Sequence, residues 1–210
     1  MNDINHIISQ IALLMVPVLF SITVHEVCHG YAALFFGDPT AKDAGRLTLN
    51  PVKHIDPVGL LVLFITGIAG MAIGWAKPVP VDPRYFKKPR TNMMWVSLAG
   101  PLSNIALAVV TAVVFKQFGG LLSQTIFYPL VMMAQYMIMI NVGLAVFNLL
   151  PIHPLDGSHI MEGLLPLKAA YAYSKLQPYG FMILLVLIFT HAVDIVIFPI
   201  ISVILNILMK

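Results

Sequence analysis

The chain has 210 residues, of which 59% are hydrophobic and only 10% are charged, and its mean hydropathy is +0.90. Soluble domains average about 25% charged residues, so this composition excludes an ordinary soluble protein and indicates an integral membrane protein. The net charge of +3 is too small to predict a nucleic-acid partner, and a single cysteine excludes an internal disulfide. The length fits one membrane domain over residues 1–210. Its apolar segments are residues 7–36, 58–75, 93–115, 126–150 and 179–208.

The first apolar segment ends in a metal-binding pattern. Residues 7–24 carry no charge and run directly into the sequence HEVCH, which contains His25, Glu26 and His29. On a helix, positions i and i+4 lie about 40° apart around the axis, so both imidazoles can reach one metal ion. Glu26 is then placed to act as a base toward a bound water. Because ionisable groups are costly inside a bilayer, this cluster predicts a functional site.

Basic residues in the loops predict the orientation of the chain. Of twelve lysines and arginines, three lie in residues 37–57, five in residues 76–92 and two in residues 151–178. By the positive-inside rule, all three loops face the cytoplasm. Segment 58–75 then cannot cross the membrane once, and its glycines suit a re-entrant loop that protein buries; an ordinary fifth span is the alternative.

Two short loop pieces are predicted to be extended. Residues 46–49 alternate in polarity, and residues 77–81 (KPVPV) cannot be helical because of their prolines. Such pieces in adjacent loops can pair as a small β-segment at the membrane surface. Its open edge could take up an added peptide strand.

The fourth apolar segment ends in a second functional pattern. A hydrolytic zinc site takes three protein ligands and leaves the fourth position open, so two histidines are one ligand short. Asp156 follows prolines at positions 151 and 154 and precedes a glycine, and such a break lets a side chain point into the protein at membrane depth. To join the histidines, Asp156 must follow a span that runs in the same direction as the first, which agrees with the charge-based topology. Glu162 is the alternative third ligand.

These patterns resemble those of the site-2 proteases, a family of intramembrane zinc metalloproteases. The resemblance rests on HEVCHG at residues 25–30, AGPLSN at 99–104 and NLLPIHPLDG at 148–157, and it extends over residues 10–165. It is closest to the short prokaryotic members without a PDZ domain. It implies an all-α polytopic membrane protein, a helical bundle of about four to six transmembrane segments with a small membrane-associated β-segment and a re-entrant loop.

The resemblance implies roles for single residues. His25, His29 and Asp156 are expected to bind zinc (Zn²⁺), and Glu26 is expected to be the catalytic base. Asn148 is expected to help hold the substrate or the developing oxyanion. The implied reaction is hydrolysis of peptide bonds in transmembrane substrates within or near the bilayer, as in regulated intramembrane proteolysis.

The same resemblance implies the setting of the reaction. The expected partners are a transmembrane protein substrate and the lipid bilayer, with room for a regulatory partner and no nucleic acid. The expected location is a prokaryotic inner membrane, with the active site toward the cytoplasm. A non-proteolytic metal-binding scaffold or transporter is the competing class. A transporter needs polar residues through the full depth of the bundle, whereas the strongest polar cluster here lies at one depth.

Other polar residues receive weaker interpretations. Cys28 is interpreted as a small apolar side chain that fills space. The alternatives are that Cys28 is a redox-sensitive neighbour of the site or a fourth metal ligand. His54 is given a structural role near the mouth of the site. His153 is interpreted as a plain loop histidine, with a partner of the site or an alternative ligand left open. In the last segment, residues 195–208 are expected to lie along the surface or fold back, or to form the second of two short crossings.

Overall fold

The computed structural model describes residues 2–68, 74–122 and 126–210. Within these ranges the chain is predominantly α-helical and contains no β-strand, which confirms the predicted fold class. The helices are α1 (Asn2–Phe35), α2 (Thr40–Asp43), α3 (Pro57–Ile68), α4 (Pro89–Leu122), α5 (Tyr128–Asn148), α6 (Asp156–Leu164), α7 (Leu167–Ser174), α8 (Gly180–Phe189) and α9 (Ala192–Met209).

Several helical stretches are long and apolar enough to cross a membrane, and the protein is an integral membrane protein. Within the described ranges these candidate spans number five, which agrees with the predicted range. One of them was not predicted in full, because residues 151–178, which are rich in proline, glycine and charge, were assigned to a loop. The tyrosines, alanines and leucines of residues 167–174 form a helix instead. The candidate spans are Leu13–Phe35, Pro89–Phe118, Tyr128–Asn148, Leu167–Phe189 and Ala192–Met209.

The centre of the bundle is made by α1, α4 and α5. His25 of α1 contacts Asn104 of α4, whereas His29, one turn later, contacts Val96, so these two helices run antiparallel. Helix α5 then returns in the direction of α1 and leads to Asp156 beside the two histidines. This is the arrangement that pairing Asp156 with the histidines requires.

The last helix, α9, folds back onto the bundle. Its Val193 and Ile197 are buried in one apolar cluster with Ala108 of α4 and with Val142 and Val146 of α5. The structure therefore contradicts a course along the surface for residues 195–208. Folding back and a second short crossing both agree with this packing, because Ala192–Met209 is itself a candidate span.

The interior of the bundle holds polar side chains beside aliphatic ones such as Ile138. Ser21, Thr23, Asn104 and Asn141 are among the largest fully buried side chains, whereas large apolar residues such as Phe198 are exposed on the outside. Lipid is as apolar as leucine, so helices in a membrane associate through close packing and hydrogen bonds rather than through the hydrophobic effect. The interior is thereby left free to hold polar chemistry.

The two ends of segment 58–75 lie next to each other. Helix α3 has 12 residues, about 18 Å at 1.5 Å per residue, which is too short for a hydrocarbon layer of about 30 Å. The backbone N–H of Lys77 donates to the carbonyl of His54 at 2.9 Å, and Trp75 contacts Gly59 at the start of α3. Because both ends meet, the segment makes no net crossing, as the re-entrant prediction requires. Residues 69–73 of this segment lie outside the described residues.

The predicted β-segment takes another form. Residues 77–82 lack helical structure, and they belong to no strand ladder with residues 46–49 or with any other described part of the chain. Proline has no N–H to donate, so Pro78 and Pro80 leave gaps in any ladder. Instead, the guanidinium of Arg46 donates to the carbonyl oxygens of Lys77 and Pro78 at 2.7 and 3.2 Å. A side chain thus holds the segment where a strand was expected.

Candidate active site

Helix α1 and the start of α6 bring the three predicted ligands together: His25 and His29 of α1 lie beside Asp156 of α6. The Nε2 atoms of His25 and His29 lie 2.9 Å apart. Asp156, the first residue of α6, places Oδ2 3.1 Å from His25 Nε2 and Oδ1 3.3 Å from His29 Nε2. Among the described residues, this is the one cluster of three or more His, Cys, Asp or Glu with ligand atoms within 4.8 Å of one another.

The outer nitrogens of both imidazoles are occupied by hydrogen-bond acceptors. His29 Nδ1 lies 2.7 Å from the carbonyl oxygen of Val96, and His25 Nδ1 lies 2.6 Å from Oδ1 of Asn104. A backbone carbonyl can only accept, so His29 Nδ1 carries a proton. In a neutral His29 ring the lone pair of Nε2 then points toward Asp156.

The donor set fits a zinc ion. Burial raises the pKa of the Asp156 carboxyl, but its contacts with His25 and His29 and their positive charge lower it by more, so its pKa falls to about 2. Its buried Oδ2 accepts no well-formed hydrogen bond. An ionised carboxylate at these distances from two imidazole nitrogens requires positive charge between the three groups, supplied by protons on the rings or by a metal ion. Two imidazoles and one carboxylate are the ligands that catalytic zinc takes in proteins.

Helix α4 approaches the cluster at a glycine. A Cβ atom on Gly100 would lie 2.6 Å from Cε1 of His25 and 2.5 Å from Cε1 of His29. The histidines can therefore occupy their positions only because residue 100 has no side chain. The AGPLSN motif contains this glycine and Asn104, but the sequence alone assigned neither a role in the site.

The loop between α5 and α6 fixes Asp156. The Leu155 carbonyl accepts a hydrogen bond from the Ser158 hydroxyl at 2.7 Å, in the first turn of α6. At the other end of α6, the Arg90 guanidinium donates to the carbonyl of Glu162 at 2.5 Å and to that of Gly163 at 3.1 Å. Arg90 thus binds the free carbonyls of the helix end and ties α6 to α4.

Glu26 lies beside the cluster and is held by the loop segment. The backbone N–H of Val79 donates to Glu26 Oε2 at 2.7 Å. Because Pro78 and Pro80 have no N–H, this is the one amide donor in the Pro-Val-Pro sequence. The same segment is anchored further on, where the N–H of Asp82 donates to the carboxylate of buried Asp38 at 2.7 Å.

Comparison with known proteins decides the family. Residues 117–191 match peptidase family M50. The chain is 39% identical over 198 residues to a Bacillus subtilis protein named "Putative zinc metalloprotease YwhC", which covers 93% of this chain and 88% of the relative. The chain belongs to peptidase family M50. This confirms the resemblance to site-2 proteases, and the protein is a zinc metallopeptidase.

More distant M50 relatives are mycobacterial and archaeal. Rip2 of Mycolicibacterium smegmatis is 32% identical over 176 residues, covering 84% of this chain and 66% of the relative. Zinc metalloprotease MJ0392 of Methanocaldococcus jannaschii is 26% identical over 163 residues, covering 78% of this chain and 37% of the relative. No solved structure matches the chain.

Two further residues considered for the site have other hydrogen-bond partners. The side-chain amide of Asn148 donates to the carbonyl of Leu144, one turn back on α5, at 3.0 Å. Its role toward an oxyanion therefore stays a prediction. Glu162, the alternative third ligand, contacts His153 Nε2 at 3.2 Å and His159 Nδ1 at 3.5 Å and does not reach the cluster.

The remaining polar residues around the M50 site have mixed outcomes. His153 lies in the loop between α5 and α6 and does not join the ligand cluster, in line with its interpretation as a loop histidine. Its burial was not predicted: it is only 4% exposed, and its Nε2 lies 3.2 Å from Glu162. His54 is buried and its Nε2 lies 2.9 Å from the carbonyl of Thr48, in line with a structural role. Cys28 is half-buried and does not join the ligand cluster.

Proposed function

We propose that this zinc metallopeptidase is an intramembrane protease that hydrolyses peptide bonds of transmembrane substrates within or near the bilayer, as in regulated intramembrane proteolysis. The observation that carries the proposal is the convergence of His25, His29 and Asp156 beside Glu26, inside a bundle of apolar helices. The basic loops favour a cytoplasmic orientation of the site in a prokaryotic inner membrane. The whole of residues 1–210 acts as one domain in this proposal.

In this proposal His25, His29 and Asp156 hold the zinc ion through Nε2, Nε2 and the carboxylate. When bound, zinc supplies Lewis acidity toward a peptide carbonyl and lowers the pKa of water to about 7. The protein's own contribution is to keep three donors in one place before the metal arrives. Burial of the two imidazoles and hydrogen bonds to their outer nitrogens supply that rigidity.

Glu26 is the general base of the proposed reaction. It removes a proton from the attacking water and returns it to the nitrogen that leaves. The Val79 N–H fixes Oε2 of the carboxylate and thereby leaves Oε1 for the proton. Asn148 is a candidate donor to the developing oxyanion, because only one of its two amide hydrogens is used by the Leu144 carbonyl.

The substrate must unwind before it can react. A transmembrane helix keeps its peptide groups in hydrogen bonds four residues apart, and freed groups are costly in lipid. Residues 79–81 follow the contact with Glu26, and their backbone carbonyls, unlike those of Lys77 and Pro78, do not bind Arg46. They can therefore accept hydrogen bonds from an unwound stretch. A substrate N–H that donates to these carbonyls would recover part of the lost hydrogen bonding.

The test compares the wild-type protein with Glu26→Gln and with Asp43→Asn, an exposed carboxylate that serves as a control. Zinc content and cleavage of a model transmembrane substrate are measured in detergent. We expect zinc in all three proteins and a loss of about 10²–10⁴-fold in cleavage rate for Glu26→Gln alone. Full cleavage by Glu26→Gln would remove Glu26 as the base, and a zinc-free wild type would refute the ligand set.

A further inference from the structure

A chain of polar side chains leads from His25 into the interior of the bundle. Ser21 of α1, Asn104 of α4 and Asn141 of α5 are each 0% exposed. Buried polar groups in a membrane protein are costly unless every hydrogen bond is made. Their hydrogen bonds connect three helices and end at His25 of the ligand cluster, and each bond has a defined donor and acceptor.

The donors and acceptors of these hydrogen bonds are fixed first at Asn141, by the backbone carbonyl of Met137. The amide nitrogen of Asn141 lies 2.8 Å from the carbonyl oxygen of Met137 and 2.7 Å from the hydroxyl of Ser21. A carbonyl only accepts hydrogen bonds, so the NH₂ group of Asn141 must face it. The oxygen Oδ1 of Asn141 is then turned toward Asn104, whose amide nitrogen lies 2.7 Å away.

The backbone carbonyl of Ser21 likewise fixes the orientation of the Asn104 amide. Its NH₂ group donates to Asn141 Oδ1 and also to the carbonyl oxygen of Ser21 at 3.3 Å. A flipped amide would bring Asn104 Oδ1 against two acceptors, so the flip is excluded. Asn104 therefore presents only Oδ1 to His25, 2.6 Å from Nδ1. Since Oδ1 can only accept, His25 Nδ1 must carry the proton.

We propose that Asn104 and Asn141 are positioning residues that hold His25 in the Nδ1–H form, with the lone pair of Nε2 directed at the zinc site. The inference rests on the proposed function, in which His25 binds zinc through Nε2. His29 needs no such relay, because the Val96 carbonyl accepts directly from its Nδ1. The backbone carbonyls of Ser21 and Met137 can only accept hydrogen bonds, and this fixes the orientation of both asparagine amides. Through Asn104 they determine which ring nitrogen of His25 carries the proton.

The test combines a ring spectrum with a zinc affinity. In zinc-free protein with ¹⁵N-labelled histidine, at a pH where the ring is neutral, the nitrogen shifts of His25 identify the protonated atom. Zinc affinity is measured by competition with a chelator for the wild type, Asn104→Leu, Asn141→Leu and Ser103→Ala. Ser103 is the matched control, since it neighbours Asn104 but its hydroxyl donates to the Gly100 carbonyl of its own helix at 2.6 Å.

We expect the Nδ1–H form in the wild type and a loss of about 10–100-fold in zinc affinity for Asn104→Leu, the usual effect of removing such a partner. Asn141→Leu should lose less, because the Ser21 carbonyl still orients Asn104, and Ser103→Ala should match the wild type. An Nε2–H ring in the wild type would overturn the proposal. So would affinities of Asn104→Leu and Asn141→Leu equal to that of Ser103→Ala.

The outcome separates this proposal from the proposed function. A wild type without zinc affinity would refute the ligand set, whereas the ring spectrum of zinc-free protein would still decide which nitrogen of His25 carries the proton. If Asn104→Leu does not fold, the wild-type spectrum and Asn141→Leu decide the question.

Discussion

Gly100 is the residue at which α4 comes closest to the two histidines. Any side chain there would displace an imidazole, because the ring atoms of both histidines lie within 2.6 Å of the site of a Cβ. Overpacking of this kind costs about 1–3 kcal/mol. We expect Gly100→Ala to lower zinc affinity about tenfold or more, since 1.4 kcal/mol corresponds to one decade, as measured by chelator competition.

The matched control is Gly143→Ala. Gly143 also lies in the middle of a helix of the bundle, but a Cβ atom there would meet nothing within 4 Å. Alanine is favoured over glycine in a helix by about 1 kcal/mol, so this variant should keep its zinc affinity and its stability. Equal zinc affinities for the two variants would contradict the close approach at Gly100.

The sequence predicts some of the site residues and not others. His25, Glu26 and His29 form a short pattern on one helix, and Asp156 stands at a proline break, so local rules predict all four. Gly100 and Asn104 are visible only as parts of a motif, because their roles depend on contacts between helices that are far apart in the chain. For the same reason, the burial of His153 under α6 was not predicted.

At the scale of elements, the loop segment of residues 77–82 determines how Glu26 is held. Val79→Pro would remove the one N–H between Pro78 and Pro80 while keeping an extended backbone. A hydrogen bond to a charged group contributes about 1.5–3 kcal/mol. We expect kcat to fall about tenfold or more with KM little changed, because the base loses its orientation while the substrate still binds.

Val79→Ala is the control for this change. It keeps the N–H and removes only the side chain, which packs near Gly30 on α1. Its kcat should stay close to that of the wild type, with normal zinc content in both variants. If Val79→Pro and Val79→Ala have the same kcat, the contact with Glu26 does not matter for the reaction.

The sequence predicts an element correctly where its composition alone determines the structure, and it fails where the structure depends on pairing with another segment. Long apolar runs predicted α1, α4 and α5 because a membrane span needs little beyond length and hydrophobicity. A β-ladder needs a partner with free N–H groups, and the prolines that predicted an extended segment also prevented the ladder. Likewise, the two lysines of residues 151–178, which were predicted to be a loop, lie on the exposed surface of a helix, α7, and at its end.

At the scale of the whole molecule, the return of the chain between α3 and α4 has a direct test. In a Cys28→Ser background, single cysteines replace exposed Lys53, Lys77 and Gln117. Because the two ends of the segment meet, we expect an impermeant thiol reagent to label positions 53 and 77 from the same side of the membrane. Position 117, at the far end of α4, should react from the opposite side.

Labelling of positions 53 and 77 from opposite sides would show that the segment between them crosses once. Charge counting predicted the same-side arrangement from the sequence, since basic loops on both sides of a segment are incompatible with one crossing. Charge counting left the course of α9 open, because its packing onto α4 and α5 depends on contacts between apolar side chains that carry no charge.

The placement of polar side chains inside the bundle and large apolar ones outside reverses the usual pattern of mutational tolerance. In a soluble enzyme, truncation of large apolar side chains in the core is among the most damaging changes. Here large apolar residues such as Val110 and Phe198 lie on the outside of the bundle, where they have few neighbours to fit. Ser21, Asn104 and Asn141 have no room and no substitute for their hydrogen bonds. Amino-acid substitutions should therefore be tolerated more often at the exposed apolar positions than at the buried polar ones.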